Sequence, residues 1–266
     1  MQDDGVRVIS RAATLLRLVA AQGPGGCTTS EIARLAHIAR PTVHRLLTAL
    51  HEEGFLDRER QSGRWSIGPE MFLLGRESSE HYRAITRGQE LVTSIARRSG
   101  ECTFLSARRA DETVCLLREE GSFPLRSHVM HDGVRLPLAV ASAGMAILAQ
   151  LPDREVREYL DSVDLVPQWG AMYSRDKVET RIAETRAQGY AVIPGLVAPG
   201  CWAIAAAVFN ARREPMWSLS ITAVEARTGD GRLERLGQSL LDEAHHLSQT
   251  LAGMASRAPA TPMPLS

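Results

Sequence analysis

Lysine is almost missing from this chain of 266 residues: 30 of its 31 basic residues are arginine, and only Lys177 is lysine. Acidic residues also number 31, so the formal net charge is zero and gives no reason by itself to expect a polyanionic partner. A guanidinium is planar and forked, so almost every cation in the chain can make paired hydrogen bonds. The informative feature is therefore the position of the arginines rather than their number.

Signals for secretion and for membrane insertion are also missing. The chain starts MQDDGVRVIS, with acids where a signal peptide needs a basic region and an apolar core. Residues 187–211 carry no charge and are long enough to cross a bilayer, but glycines and prolines interrupt them five times. A loop followed by a buried strand fits this stretch better. We expect a soluble cytoplasmic protein with no membrane partner.

Sequence patterns of catalysis and of metal binding are weak. The four cysteines form no CxxC pair and have no histidine neighbours at zinc spacing. Cys102 and Cys115 could form a redox pair on neighbouring strands, although packing in a core is the simpler interpretation. Val140–Gly144 resembles half of a nucleophile elbow but lacks its first glycine, and no P-loop or GxGxxG is present. We expect no cofactor, no metal and no enzymatic activity.

Apolar residues recur at helical spacing in three successive segments near the N-terminus. The first segment is Ile9–Ala20. The second starts with Thr29 or Ser30 as its N-cap, and the third opens at Pro41. A short break at residues 37–39 separates the second segment from the third. Two helices joined by such a turn and preceded by a third predict a helix-turn-helix.

The outward face of the third helix carries side chains suited to phosphates and to base edges in a major groove. These candidate DNA contacts are Arg40, Thr42, His44, Arg45 and Thr48. From Gly5 to His51 there are six arginines, Arg11 among them, and one acid, Glu31, which is a local excess of 6 − 1 = +5. This basic patch is the electrostatic footprint expected of a nucleic-acid-binding domain.

A predicted hairpin follows, with strands in Phe55–Arg60 and Arg64–Ile67 and a turn at residues 61–63. Side chains alternate between the two faces of a strand, which predicts that the apolar residues point inward and the arginines outward. The inward residues are Phe55, Trp65 and Ile67, and the outward residues are Arg58, Arg60 and Arg64. Such a cationic hairpin after a recognition helix is the wing of a winged-helix domain, with Arg58 and Arg64 reaching phosphates or the minor groove. Two alternatives stay open: a small helical domain with a solvated arginine face, and a winged helix that binds protein.

Five runs then support a family resemblance: Ile9-Ser-Arg-Ala12, Ser30-Glu-Ile-Ala33, Thr42-Val-His-Arg-Leu-Leu47, Leu50-His-Glu-Glu-Gly-Phe-Leu56 and Gly63-Arg-Trp-Ser-Ile-Gly68. Together they resemble the IclR-type transcriptional regulators. The resemblance implies a ligand-responsive regulator that binds a palindromic operator as a dimer or a dimer of dimers. One departure is His37, where the family often has glycine; histidine can also adopt the left-handed backbone that a turn needs.

The rest of the chain predicts an α+β protein in which a linker helix joins the winged helix to a GAF-like effector domain. Residues 69–99 have a helical pattern that is broken near Gly88. Predicted strands lie at 103–108, 113–119, 125–130, 201–209 and 216–223, and predicted helices at 141–150, 153–163, 175–188 and 233–251. We divide the chain into a DNA-binding domain (1–75), linker and packing helices (76–99), an effector domain (100–252) and a disordered tail (253–266).

The resemblance extends to the effector domain through Gly133-Val-Arg-Leu-Pro-Leu138 with Ala143-Gly144, and through residues 188–191, 203–206 and 218–222. It implies a GAF-like pocket for a small, usually acidic, metabolite. Free N–H groups at the helix opening after Pro137 suit a carboxylate, and strand alternation points Ser220 and Thr222 to one side. The candidate effector contacts are Leu138, Ser142, Ala143, Gly144, Ile193, Ala203, Ser220 and Thr222. In the alternative interpretation, the three hydroxyl groups only satisfy local backbone.

Departures from the family pattern concern the size of the effector. Relatives that bind very small oxo-acids tend to have an acid and a cysteine where this chain has Ile193 and Ala203. Tyr190 and Trp202 add apolar bulk nearby. We therefore expect an organic acid with an aromatic or otherwise bulky body, sensed by a regulator of a catabolic operon. The competing hypothesis is a winged-helix protein-interaction module with a GAF-like dimerisation domain and no ligand.

Overall fold

The computed structural model describes residues 2–77, 79–123, 130–195, 197 and 199–255. It divides the chain into two compact units, and the division falls between residues 82 and 83. Most of the strand predicted at 125–130 and most of the predicted tail, from residue 256 onward, lie outside the described residues. The predicted domain limits stay a prediction. No helix among the described residues is long and apolar enough to span a bilayer.

The first unit contains four helices and a hairpin among its described residues. The elements are α1 (Gln2–Ala21), α2 (Thr29–Ala36), α3 (Arg40–Glu52), β1 (Leu56–Arg58), β2 (Trp65–Ile67) and α4 (Pro69–Glu77). Leu15, Ile32, Val43, Leu47 and Trp65 form the centre of its core, each with at most 1% of its surface exposed. The helix-turn-helix and its wing are thereby confirmed.

Local interactions explain where α2 begins and ends. The N-cap is Thr28 rather than Thr29 or Ser30: its hydroxyl accepts a hydrogen bond from the Glu31 backbone, and the Glu31 carboxylate accepts one from the Thr28 backbone. This reciprocal pair is a capping box. The helix ends at His37, whose φ of 52° is left-handed, so the turn has the conformation that we expected of this histidine.

The wing differs from the predicted pattern by one residue in its first strand. Leu56 is fully buried, Phe55 is only half-buried, and Ile67 is 39% exposed. The prediction that Phe55 points inward was therefore wrong, whereas Ile67 lies opposite Leu56 on the face that carries Trp65, as predicted, although it is partly exposed. Gly54, with φ of +75°, turns the chain before the hairpin, and the strand then starts at Leu56. This register places Leu56, Arg58, Trp65 and Ile67 on one face of the hairpin, so the prediction that Arg58 points to the face opposite Trp65 was wrong.

The second unit is built on one antiparallel sheet with the spatial order β5-β4-β3-β8-β7-β6. Its strands are β3 (Cys102–Arg109), β4 (Glu112–Glu119), β5 (Arg135–Pro137), β6 (Ala191–Pro194), β7 (Cys201–Phe209) and β8 (Pro215–Val224). Its α-helices are most of α5 (Ser79–Ser99), which begins before the division, and α6 (Ser142–Ala149), α7 (Asp153–Ser162), α8 (Val166–Trp169), α9 (Arg175–Gln188) and α10 (Arg232–Ala255). This arrangement confirms the predicted α+β fold class.

The two faces of the sheet are covered by different helices. Leu105, Trp217 and Leu219 point to α5 and α10, while α6, α7 and α9 build the core on the opposite face. The predicted break near Gly88 is absent, since α5 is continuous there. A Cβ at Gly88 would lie 2.7 Å from Leu105 Cδ2, so this glycine allows the helix to lie close to the sheet.

Candidate DNA-binding surface and effector pocket

The candidate DNA contacts of α3 lie on the face opposite its buried side chains. Arg40, His44 and Arg45 are exposed, and Thr42 and Thr48 are half-buried. The inward face consists of Val43, Leu46 and Leu47, which anchor the helix in the core. The structure therefore brings the five predicted polar residues together on one surface. Arg11, on α1, is half-buried.

Trp65 of the wing contacts both the recognition helix and the first strand of the hairpin. The rings of His44 and His51 meet it edge-on, with centroids 6.4 and 6.0 Å away. The Arg58 guanidinium lies 5.1 Å from the centre of the indole, a cation–π distance. Arg58 stays exposed in this position. His44 and Arg58 thus have a packing role in addition to the DNA contacts predicted for them.

Arg64 makes contacts inside the domain that the sequence pattern did not indicate. Its Nε donates to the carbonyl of Gly25 and its Nη2 to that of Gly26, both at 2.8 Å. Its Nη2 also lies 3.6 Å from the Glu31 carboxylate, whose pKa is held below its usual range mainly by hydrogen bonds from Thr28. Much of the hydrogen-bonding capacity of Arg64 is therefore used inside the domain, although 38% of its side-chain surface is exposed. Its contact with DNA stays a prediction.

A pocket opens between the sheet and the N-terminus of α6. Its cavity volume is about 40 Å³, smaller than the ~300–1,000 Å³ of typical small-molecule sites. Six of the eight predicted effector contacts line it: Ser142, Ala143, Ile193, Ala203, Ser220 and Thr222. Their role in binding an effector stays a prediction.

The N-terminus of α6 opens into this pocket without a side-chain cap. Ala141 is the N-cap, in an extended conformation, and the first α-helical backbone bond runs from Met145 N to Ala141 O at 2.9 Å. The N–H groups of Ser142 and Ala143 consequently have no acceptor within the helix. Both residues line the pocket, so helix donors without an acceptor in the helix and the positive end of the helix dipole lie at its wall.

Strand β8 supplies the facing hydroxyl groups. Ser220 and Thr222 point to the pocket. Leu219, which precedes them, and Ile221, which lies between them, are buried in the core on the other face of the sheet. Ser220 pairs with Phe104 of β3, which also lines the pocket. The alternation predicted for these two hydroxyls is present in the structure.

Two predicted effector contacts do not reach the pocket. Leu138 is fully buried, and a Cβ at Gly144 would overlap the carbonyl oxygen of Leu138. These two residues pack against each other and set how close α6 lies to the preceding loop. The helix predicted at 141–150, after Pro137, begins at Ser142, and a turn separates it from Pro137.

Sequence reasoning also missed several lining residues: Phe104, Met130, Ala141, Val197 and Cys201. None of the described lining residues is charged, and Cys201 is an unpaired thiol. Cys115 packs in a small buried cluster with Phe104 and Cys102. Burial raises the pKa of the Cys115 thiol to about 12. A thiol with so high a pKa is protonated at neutral pH and is a poor nucleophile.

Taken together, a winged helix with a basic recognition surface and a second unit built on an antiparallel sheet define the class of DNA-binding transcription factors. Two family models match the chain: "IclR helix-turn-helix domain" over residues 8–60 and "Bacterial transcriptional regulator IclR C-terminal" over residues 79–249. The chain belongs to the IclR family of bacterial transcriptional regulators. It is a DNA-binding regulator of transcription and not an enzyme.

Similar proteins match most of the length of the chain. The Transcriptional repressor IclR of Escherichia coli is 26% identical over 251 residues, 94% of this chain and 91% of that one. The regulator BhcR of Paracoccus denitrificans is 28% identical over 255 residues, 95% of this chain and 89% of that one.

Solved structures have the same fold. An IclR homolog from Microbacterium hydrocarbonoxydans, complexed with 4-hydroxybenzoate, has a TM-score of 0.74 at 20% identity and covers 92% of this chain and 99% of its own. The IclR regulator of Alicyclobacillus acidocaldarius has a TM-score of 0.72 at 24% identity, covering 93% and 99%.

Proposed function

We propose that the protein regulates a catabolic operon from the cytoplasm, binds a palindromic operator as a homodimer or a dimer of dimers, and responds to a small organic acid with an aromatic or bulky body. The observation that carries the ligand part of this proposal is the uncapped N-terminus of α6 in an otherwise largely apolar pocket. Effector binding can alter DNA binding only if the form of the protein that binds DNA and the form that does not differ in their affinity for the effector.

The carboxylate of the effector would bind where α6 begins. The N–H groups of Ser142 and Ala143 are donors at the positive end of a helix, which favours an anion. The hydroxyls of Ser220 and Thr222, on the opposite wall, can each donate a further hydrogen bond. Such donors suit one carboxylate group.

The body of the effector would lie against apolar walls. Phe104, Met130, Ile193 and Val197 line the pocket, and no described lining residue could neutralise a second ionised group. Burying an unpaired charge costs several kcal/mol. We infer that the effector is a monocarboxylate whose remaining part is uncharged. The bound 4-hydroxybenzoate of the Microbacterium protein supports an aromatic acid of this kind.

Calorimetric titration of matched acids tests the effector class. Benzoate-like and arylacetate-like monocarboxylates should bind, and the same ring with a second carboxylate should bind at least about a hundredfold more weakly because its second charge stays unpaired. Short aliphatic acids serve as the size control. Tight binding of a two- or three-carbon oxo-acid with no binding of aromatic acids would overturn the size argument, and equal binding of a dicarboxylate would overturn the charge argument.

On the DNA side, α3 would lie in the major groove with Arg40 and Arg45 facing the duplex. A single winged helix reads few base pairs, and two copies on half-sites about 34 Å apart would double the contacts. Exposed apolar residues support self-association: Ile9 of α1 is 73% exposed, and Leu73 and Leu74 of α4 are 49% and 51% exposed. Burying such residues against a second copy is favourable.

Arg45→Ala tests the recognition helix. If Arg45 reaches a base edge, its loss should weaken operator binding by about 1–3 kcal/mol and relax specificity at one position. Fluorescence anisotropy on the DNA upstream of the protein's own gene measures this, at two salt concentrations and with random duplex for comparison. Before mutation, the operator should bind at least ~10³ times more tightly than random DNA.

Arg97→Ala is the matched control, since Arg97 is an exposed arginine on α5 in the other unit. Its removal lowers the net charge equally and should leave operator affinity unchanged. An equal loss on operator and random DNA in Arg45→Ala would mean that Arg45 contacts phosphate instead of a base. Failure of the unmodified protein to bind any duplex at low salt would favour the protein-interaction module.

A further inference from the structure

Arg64 connects the wing to the loop that precedes α2. Its guanidinium donates to two successive carbonyls, those of Gly25 and Gly26, and also lies beside the carboxylate of Glu31. Only a forked donor can satisfy two adjacent carbonyls in this way. Glu31 is the third residue of α2 and the partner of Thr28 in its capping box, so Arg64 contacts the N-terminus of that helix as well as the loop.

Trp65, the next residue, makes a second connection from the same strand. Its backbone exchanges two hydrogen bonds with Cys27, at 2.9 and 2.7 Å, and its indole Nε1 donates to the Thr29 hydroxyl at 2.9 Å. Gly26 makes this approach possible, because a Cβ there would lie 2.5 Å from the Trp65 carbonyl oxygen. The base of the wing is therefore held against the start of α2 by backbone and side-chain bonds together.

The same tryptophan also contacts the recognition helix. His44 and His51 of α3 meet the indole edge-on, and His51 Nδ1 lies 2.7 Å from the carbonyl oxygen of Leu56 in the wing. Any movement of the wing relative to α2 would therefore disturb contacts made by His44, one turn of helix away from Arg40 and beside Arg45.

We propose that Arg64 and Trp65 form a wing anchor, defined by these two residues, which sets the position of the wing relative to α3. In this assignment Arg64 is a positioning residue that acts through the Gly25–Glu31 segment, and it does not bind DNA phosphate. The inference uses only the DNA-binding activity of the family, so it holds whether or not the proposed effector class is correct.

The salt dependence of operator binding distinguishes a positioning residue from a phosphate ligand. Loss of one phosphate contact reduces the slope of log K against log salt by about 0.9. Arg64→Gln should weaken operator binding about tenfold, because a hydrogen bond to a charged group is worth at least one decade. The slope of log K against log salt should be the same for Arg64→Gln as for the unmodified protein. The affinity of this variant for random duplex should change by no more than about twofold. Arg60→Gln is the matched control, because it also removes one positive charge, at the exposed turn of the wing.

Arg64→Lys separates charge from geometry. Lysine keeps the positive charge but has no fork with which to satisfy both carbonyls, so it should lose operator affinity as Arg64→Gln does. Each affinity is corrected for the active fraction by stoichiometric titration, which removes any loss caused only by partial unfolding. The NMR signal of the Trp65 indole N–H should shift and exchange faster with solvent in both Arg64 variants and stay unchanged in Arg60→Gln.

Three outcomes would overturn the proposal. A slope reduced by about 0.9 in Arg64→Gln, with affinity restored in Arg64→Lys, would make Arg64 a phosphate ligand. Unchanged affinity of the active fraction in both variants would leave only a role in stability. An unchanged Trp65 indole signal would show that Arg64 does not hold this residue in place.

Discussion

Replacing Ser220 by alanine and Thr222 by valine together should abolish the response to the effector while operator affinity in its absence stays unchanged. Both hydroxyls face the uncapped N-terminus of α6 across the pocket. Each hydrogen bond to a charged group contributes about 1.5–3 kcal/mol, so the double variant should lose at least about a hundredfold in effector affinity. Calorimetry of the effector and anisotropy of the operator measure the two quantities separately.

Ser218→Ala is a closely matched control for this double variant. Ser218 lies on the same strand and the same face, two residues from Ser220, but it is fully buried and outside the pocket. Its hydroxyl has no hydrogen-bond partner among the described residues. Removing it should leave effector affinity unchanged and leave stability unchanged or slightly higher, because an unsatisfied buried hydroxyl is costly.

The double variant also decides between the two interpretations of the hydroxyls. If Ser220 and Thr222 only satisfy local backbone, the substitutions should lower the free energy of unfolding and leave the effector response in place. A preserved response at full stability would mean that the effector binds elsewhere.

Much of the DNA-binding unit could be predicted because its signals are local. Apolar residues at helical spacing, among them Val19, Ile32 and Val43, indicate three helices, and the left-handed turn at His37 lies between the second and the third. The role of Arg64 was not predictable, since its partners Gly25 and Gly26 are far from it in sequence. Alternation along a strand indicates which way a side chain points but not whether a distant loop supplies acceptors for it.

The effector pocket was predictable to a smaller extent for the same reason. Ser220 and Thr222 could be placed on one face from their spacing alone. Phe104 joins them only because β3 pairs with β8, with Phe104 opposite Ser220. That register is fixed by the packing of the complete sheet, and no local pattern specifies it. Gly144 was assigned to the pocket because the resemblance includes it, whereas the structure gives it a packing role.

Gly144→Ala should both destabilise the second unit and abolish effector binding. The added Cβ would overlap the carbonyl oxygen of Leu138. That carbonyl cannot move away easily, because Leu138 N donates to Asp111 O at 3.0 Å and Ala139 N donates to the Tyr159 hydroxyl at 3.1 Å. The helix must therefore shift instead, and overpacking of this kind costs about 1–3 kcal/mol or more.

The shift of α6 is what connects the stability effect to the loss of binding. Its N-terminal donors, at Ser142 and Ala143, would move with the helix away from Ser220. Gly253→Ala, at an exposed glycine of α10 with open space around it, is the control and should bind the effector normally. Thermal unfolding and calorimetry together distinguish the outcomes. A Gly144→Ala variant that unfolds at a lower temperature but binds the effector normally would contradict this prediction. It would show that carboxylate binding does not depend on the position at which α6 begins.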